Sequence, residues 1–227
     1  MFFSLFGAWR TIESKVTVKS ELLMEGGTAL EQIIRAVREE MVDLVKVRYA
    51  STGLTNALVI LQDINGDGVG DRLKGWGLRV MDANGDGIQD RVDMNDDGTM
   101  ETPLWELVEV SKPGTNLASS VSWNSTVLCR NVVAPWTSLD GRYVYRPFCY
   151  AGRDPALDKS PKDGYVSETE LDVNANGVLD VVEYSKIATI HLGLKLVKMS
   201  AIRDVESVIV YQGTMSPRNW QPLGKYY

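Results

Sequence analysis

From Ser4 to Arg48 apolar residues recur every three or four positions, and this spacing predicts a helix. In its second half Leu30, Ile33, Ile34, Val37, Met41 and Leu44 fall on one face, with Arg35, Arg38, Glu39 and Glu40 mostly off it. In the first half Trp9, Ile12, Val16 and Leu23 keep a looser version of the same period. Gly26-Gly27 interrupts the two, and Thr28 with Glu31 spells a capping box. The pattern therefore allows one long helix kinked at the glycines or two helices in line.

After Tyr49 the pattern turns to alternation of β-branched and aromatic residues with polar ones. Strands are predicted over 57–64, 77–82, 104–110, 121–132, 142–150, 186–199 and 205–213. The plan is an N-terminal helical segment, 1–49, and an antiparallel β region, 50–227, with loop insertions at 63–74, 82–104 and 172–183. Helix first and sheet afterwards predicts an α+β fold.

The insertions share one spelling, D-x-N-x-[DN]-G-x-x-[DE], which occurs four times. In the first the candidate ligands are Asp63, Asn65, Asp67 and Asp71, with the carbonyl of Val69. The second offers Asp82, Asn84, Asp86 and Asp90, with the carbonyl of Ile88. The third offers Asp93, Asn95, Asp97 and Glu101, with the carbonyl of Thr99. The fourth offers Asp172, Asn174, Asn176 and Asp180, with the carbonyl of Val178.

Calcium wants six to eight oxygen ligands, and a tightly turning loop aims the side chains at positions 1, 3 and 5 inward. Glycine at position 6 (Gly68, Gly87, Gly98, Gly177) permits the turn that brings the position-7 carbonyl round. Position 12 separates the loops. The fourth has Glu183 there and completes the EF-hand spelling, and Ser167 with Glu170 spells a capping box for a short helix entering it. The second has Asp93, which is also position 1 of the third, so two ions would share it. The first and third have Lys74 and Leu104 and lack the last carboxylate. The run from 82 to 101 resembles thrombospondin type 3 and dockerin-like calcium repeats. Two to four Ca2+ ions are expected. Asn/Gly/Asp turns between strands are common singly, but four copies of one code in 227 residues are not a turn-composition effect.

Charge fits this reading. The net charge is −6, and thirteen acidic residues sit in the loops; without them the other charges sum to +7. No large basic surface is indicated, which argues against nucleic acid as the main partner. Two cysteines and one histidine exclude a Cys/His metal cluster. Cys129 and Cys149 are expected to form one disulfide if the protein is exported, and otherwise to be two buried thiols. His191 lies in a strand pattern without a legible catalytic setting, so no enzyme activity is expected.

The segment SLFGAWRTIESKVTVKSELLMEGGTALEQIIRAVREEM resembles the second half of the N-terminal helix of minor pilins and minor pseudopilins, of the W type of type IV pili and the J type of type II secretion. Ala29, Leu30, Glu31, Ile34, Arg35, Val37, Arg38 and Glu39 carry the match, and Arg218-Asn219 near the end fits the family's closing dipeptide. The abrupt apolar start MFFSLFGAW leads to the expectation that the sequence begins inside that helix, downstream of the family's membrane-spanning half.

The resemblance implies a pilin-like fold, a long N-terminal helix packed on antiparallel sheet. It implies a structural subunit at the tip of a pilus or secretion pseudopilus, priming assembly by packing its helix against other minor subunits. Such a subunit is anchored in the inner membrane before assembly and is periplasmic or extracellular. The alternative is a calcium-stabilised extracellular adhesion or scaffold module, with Trp76, Trp105, Trp123, Trp136 and Trp220 as candidate contact residues.

Overall fold

A computed structural model describes residues 2–39, 41–44, 52–114, 122–137, 144–159, 165–166, 168–171, 173, 186–199 and 205–215. One helix, α1 (Phe2–Glu39), is followed by strands β1 (Met41–Leu44), β2 (Thr55–Gln62), β3 (Arg72–Val80), β4 (Arg91–Val92), β5 (Thr102–Pro103) and β6 (Trp105–Pro113). Then come β7 (Asn124–Val133), β8 (Trp136–Thr137), β9 (Val144–Tyr145), β10 (Phe148–Gly152), β11 (Ile187–Met199) and β12 (Val205–Met215). A single 3-10 turn, Pro155–Leu157, and a short helix, Glu168–Leu171, lie between β10 and β11.

The main sheet runs β1-β2-β3-β6-β7-β11-β10, with β12 on the other side of β11, and its pairings are antiparallel. Two small ladders, β4–β5 and β8–β9, stand apart. β10 and the end of β7 lie end to end along one edge of β11, at Phe148↔Leu192 and Val133↔Lys195. β10 in turn reaches back to the start of β2 through Asn56. Twist accumulated from strand to strand has curled the sheet until its ends approach.

This overturns the α+β, pilin-like expectation. Strand makes up 45% of the described residues and helix 25%, and the architecture is a mostly-β, curled antiparallel half-barrel with one N-terminal helix. The helix does not form a layer over the sheet; it lies principally over β12, β11 and β7. Much of the interior is filled by the sheet's own residues, among them Leu58, Ile60, Trp76, Leu107, Leu192 and Leu194.

The helix is continuous through Gly26-Gly27, so the single-helix alternative holds. It stops earlier than its pattern predicts. Met41 and Leu44 belong to β1, paired with Gln62 and Ile60 of β2. The sequence MVDL satisfies both a 3.6 period and a strand, and pairing to β2 decides.

Val18, Leu22, Ala29, Leu30, Ile33, Ala36 and Val37 face the core. Polar contacts flank that face on both sides. Lys15 and Lys19 reach Glu206 of β12 at 3.5 and 3.1 Å. Glu21 accepts from Lys198 of β11 at 2.7 Å, and Glu25 accepts from the Arg130 backbone N–H of β7 at 3.1 Å. In the middle of the sheet Glu106 holds Arg79 of β3 at 2.7 Å and Arg130 of β7 at 3.0 Å, one partner per oxygen.

The disulfide expectation fails. Cys129 on β7 and Cys149 on β10 are both free and buried. They pair with Leu107 and His191 respectively, at separate places in the sheet. A disulfide needs Cα atoms closer than about 7 Å, whereas Cys149 lies opposite His191 and Cys129 lies three residues before Val132, which is opposite Leu196, so several residues of about 3.3 Å each separate them along β11. Burial, then the negative charge of Glu25, push the Cys129 thiol up to about 12. The expected result is that Cys129 resists iodoacetamide at pH 8 in the folded protein and reacts fully in denaturant, read by peptide mass. Rapid alkylation in the folded state would contradict its placement.

Candidate metal centre

The first three loops fall between described strands and are built alike. The position-1 carboxylate accepts backbone N–H groups on both of its oxygens. Asp63 takes Gly66 and Gly68, both at 2.7 Å. Asp82 takes Gly85 and Gly87 at 2.7 and 2.8 Å, and Asp93 takes Asp96 and Gly98 at 2.8 and 2.7 Å. The position-3 amide oxygen accepts the position-5 N–H in each loop, from Asp67, Asp86 and Asp97 at 2.9, 3.1 and 3.2 Å. The position-5 carboxylate accepts the position-7 N–H of Val69, Ile88 and Thr99 at 2.8, 2.7 and 2.8 Å. Backbone donors hold Asp63 and Asp97 below the usual carboxylate range, Gly68 N–H foremost for the first and Thr99 N–H for the second.

Position 9 closes the first two loops. Asp71 accepts from Ile64 and Asn65, and Asp90 accepts from Ala83. Backbone bonds pinch each base, Asp71 N–H to the Gln62 carbonyl and Asp90 N–H to the Met81 carbonyl, both 2.8 Å. Position 6 is left-handed in all three, with φ of 81, 81 and 88° at Gly68, Gly87 and Gly98. Position 4 is left-handed too, and there the third loop places Asp96 at φ 59° where the others have glycine.

The donor set fits a hard cation. Each carboxylate oxygen that accepts one N–H keeps a second lone pair, and the remaining donors are an amide oxygen and a carbonyl. Val69 and Ile88 leave their side chains exposed, as suits residues that contribute only a carbonyl. Among the described residues no three His, Cys, Asp or Glu side chains already converge on one metal-sized point.

The last three positions of the twelve-residue code do not belong to the loops. Arg72–Lys74 is already β3, with Lys74 bonded to Glu109 at 3.2 Å. Thr102–Pro103 is β5, and Leu104 is buried with Met81, Val92, Val133 and Val197. The first and third loops are therefore nine-residue turns ending at Asp71 and Glu101, with a strand where an EF-hand has a helix. Asp93, expected to serve two ions, has both oxygens turned into the third loop.

Of the fourth loop, 172–183, only Val173 is described, so Asp172, Asn174, Asn176, Val178, Asp180 and Glu183 lie outside the described residues. Its approach is anchored by Leu171, fully buried in the main core. The short helix predicted there exists, but Glu170 accepts from Lys159 N–H at 2.8 Å. Sequence reasoning missed the stretch from Asp158 to Glu170, which spells the calcium code with one residue inserted: Asp163-Gly164, then Val166, Ser167 and Glu170. The signal was the Asp-Gly pair with Glu six residues beyond the glycine. Val166 is pinned to Tyr150 by an antiparallel bridge.

His191 packs edge-on to Tyr165 at 5.2 Å and stands 3.3 Å from the Thr189 hydroxyl, and burial lowers its pKa. A groove of about 460 Å3 between α1 and β7 is lined by Met24, Glu25, Thr28, Gln32 and Thr126 among others. Of these, Glu25 already accepts from Arg130. Of the tryptophans expected to offer contact surface, Trp76 and Trp136 are buried, Trp105 and Trp123 are half-buried, and Trp220 lies outside the described residues. No family model, curated protein or solved structure matches the chain.

Proposed function

We propose that this chain is a calcium-stabilised structural subunit without catalysis, which joins its partners through the far side of its N-terminal helix. The carrying observation is that α1 is apolar on two faces. One packs over β12, β11 and β7. The other, Trp9, Ile12, Val16 and Leu23 at i, i+3, i+7 and i+14, is 59, 60, 57 and 49% exposed. Sequence reasoning grouped these residues with the core period. They face away from it, and a helix stripe of large apolar side chains left in water is a packing surface. No described helix is long and apolar enough to cross a membrane.

The helix sequence from Ala29 to Glu39 supports a minor pilin or pseudopilin setting, a tip subunit of a pilus or secretion pseudopilus working outside the cytoplasm. Extracellular calcium modules bind at about 10⁻⁴–10⁻³ M, which suits that compartment. The test replaces Ile12 and Val16 together by Asp. The purified variant should keep its melting temperature to within about 1 °C, since exposed changes of this kind move stability little. It should be lost from the sheared filament fraction of the native cells. Unchanged recovery there would sink the filament reading.

A further inference from the structure

The ring of strand pairings around the half-barrel closes at one side chain. β10 pairs with β11 from Phe148 to Gly152. On its opposite edge, where β2 begins, no strand ladder is formed among the described residues. Asn56 fills the gap. Its amide nitrogen donates to the Phe148 carbonyl at 3.1 Å, and its amide oxygen accepts the Phe148 N–H at 3.0 Å. A primary amide thereby makes both bonds that a facing strand residue would make. The position is built for it: Asn56 has φ +46°, which asparagine tolerates better than other non-glycine residues, and the β2–β3 register slips between Thr55 and Leu58. One further tie on that edge is the Val166 N–H to the Tyr150 carbonyl at 2.7 Å.

We propose that β10 is a strap latched by Asn56, and that the half-barrel opens there before it unfolds elsewhere. Other joints around the ring are strand ladders, long between β2 and β3 from Thr55 to Gln62 and between β3 and β6 from Leu73 to Val80, and short between β7 and β11, where two residue pairs are overlaid by α1. The strap side has two bonds from one amide. Opening frees the Phe148 and Tyr150 rings from the core and uncovers the edge of β2. It also uncovers Cys149, whose thiol donates to the Arg146 carbonyl and accepts the Arg146 N–H, both at 3.4 Å.

The two cysteines supply the test, since Cys149 rides on the strap and Cys129 sits on β7 outside it. Native-state labelling with N-ethylmaleimide in calcium-containing buffer is followed residue by residue by mass spectrometry. In the unaltered protein Cys149 should label faster than Cys129. Asn56→Ala should raise the Cys149 rate by roughly tenfold and leave Cys129 unchanged, the ratio expected for losing about 1.4 kcal/mol of hydrogen bonding. Asn56→Asp keeps the acceptor and sets a carboxylate against the Phe148 carbonyl, so it should raise the rate further. Equal rates for the two cysteines in the unaltered protein would mean that the molecule opens only globally and would overturn the strap. So would an unchanged Cys149 rate in a folded Asn56 variant.

Discussion

Chelation is expected to lower the melting temperature by about 10–20 °C. An ion bound at about 10⁻⁴ M and supplied at 2 mM stabilises by roughly 2 kcal/mol per site. Three loops built alike then contribute about 5 kcal/mol, and for a chain of this size each kcal/mol moves the midpoint by about 2–4 °C. The effect should begin in the region from Met81 to Leu104. There the two-residue ladder β4–β5 is held by Val92 and Leu104 packed on Met81, Val133 and Val197, a small cluster set apart from the main core. A cluster of that size cannot keep seven carboxylates in register without a counterion.

The measurement is calorimetry with 2 mM calcium and with excess EDTA, with magnesium as control. The ion should protect Met81–Leu104 amides from exchange before it alters those of β6 and β11. A midpoint that moves by less than about 1 °C, together with no heat of calcium binding, would reduce the loops to hydrogen-bonded turns. Replacing Asp82 by Ala separates ion from fold. It removes a ligand from one of the three loops and also frees the Gly85 and Gly87 N–H groups, so the variant should lose about a third of the calcium effect and some stability in EDTA as well.

The long strands were legible from their β-branched and aromatic runs, but their ends and faces were not: β3 begins at Arg72, ahead of the predicted 77–82, and Trp76, expected as a candidate contact residue, is buried. The turns of the first three loops were legible at Gly68, Gly87 and Gly98, because position-specific Asp, Asn and Gly fix local geometry without help from distant chain. What failed depends on partners far away in sequence. Periodicity shows that the helix has an apolar stripe at 9, 12, 16 and 23 but not whether the sheet or a neighbour covers it. Lys74 and Leu104, where the sequence already lacks the code's last carboxylate, are held by long-range partners instead, Lys74 by pairing of β3 with β2 and β6 and Leu104 by packing on Met81, Val133 and Val197. The curl failed because nothing in a strand pattern announces that Asn56 will clasp Phe148, 92 positions on.

Replacing Gly26 by Leu is expected to cost about 2 kcal/mol or more, while replacing its neighbour Gly27 by Ala should gain about 0.5–1 kcal/mol. The two glycines look equivalent in sequence and equally hostile to a helix. In the fold they are opposites. A Cβ on Gly26 would come within 2.9 Å of both Leu196 Cδ1 on β11 and Val210 Cγ2 on β12. A Cβ on Gly27 would meet nothing within 4 Å. At position 26 the helix propensity gained from a side chain, about 1 kcal/mol, is set against overpacking of a stiff β-branched neighbour, typically about 1–3 kcal/mol for each inserted group. Leucine adds three more carbons to a contact already too short, so repulsion dominates and the helix lifts. The same substitution in a Val210→Ala background should lose much of its cost, because the methyl that blocks it has gone. A double-mutant cycle on chemical denaturation would read this as coupling of about 1 kcal/mol or more. Equal effects at 26 and 27, with no coupling to Val210, would mean that the glycines serve only as a helix break and that the helix does not seat on the sheet at this point.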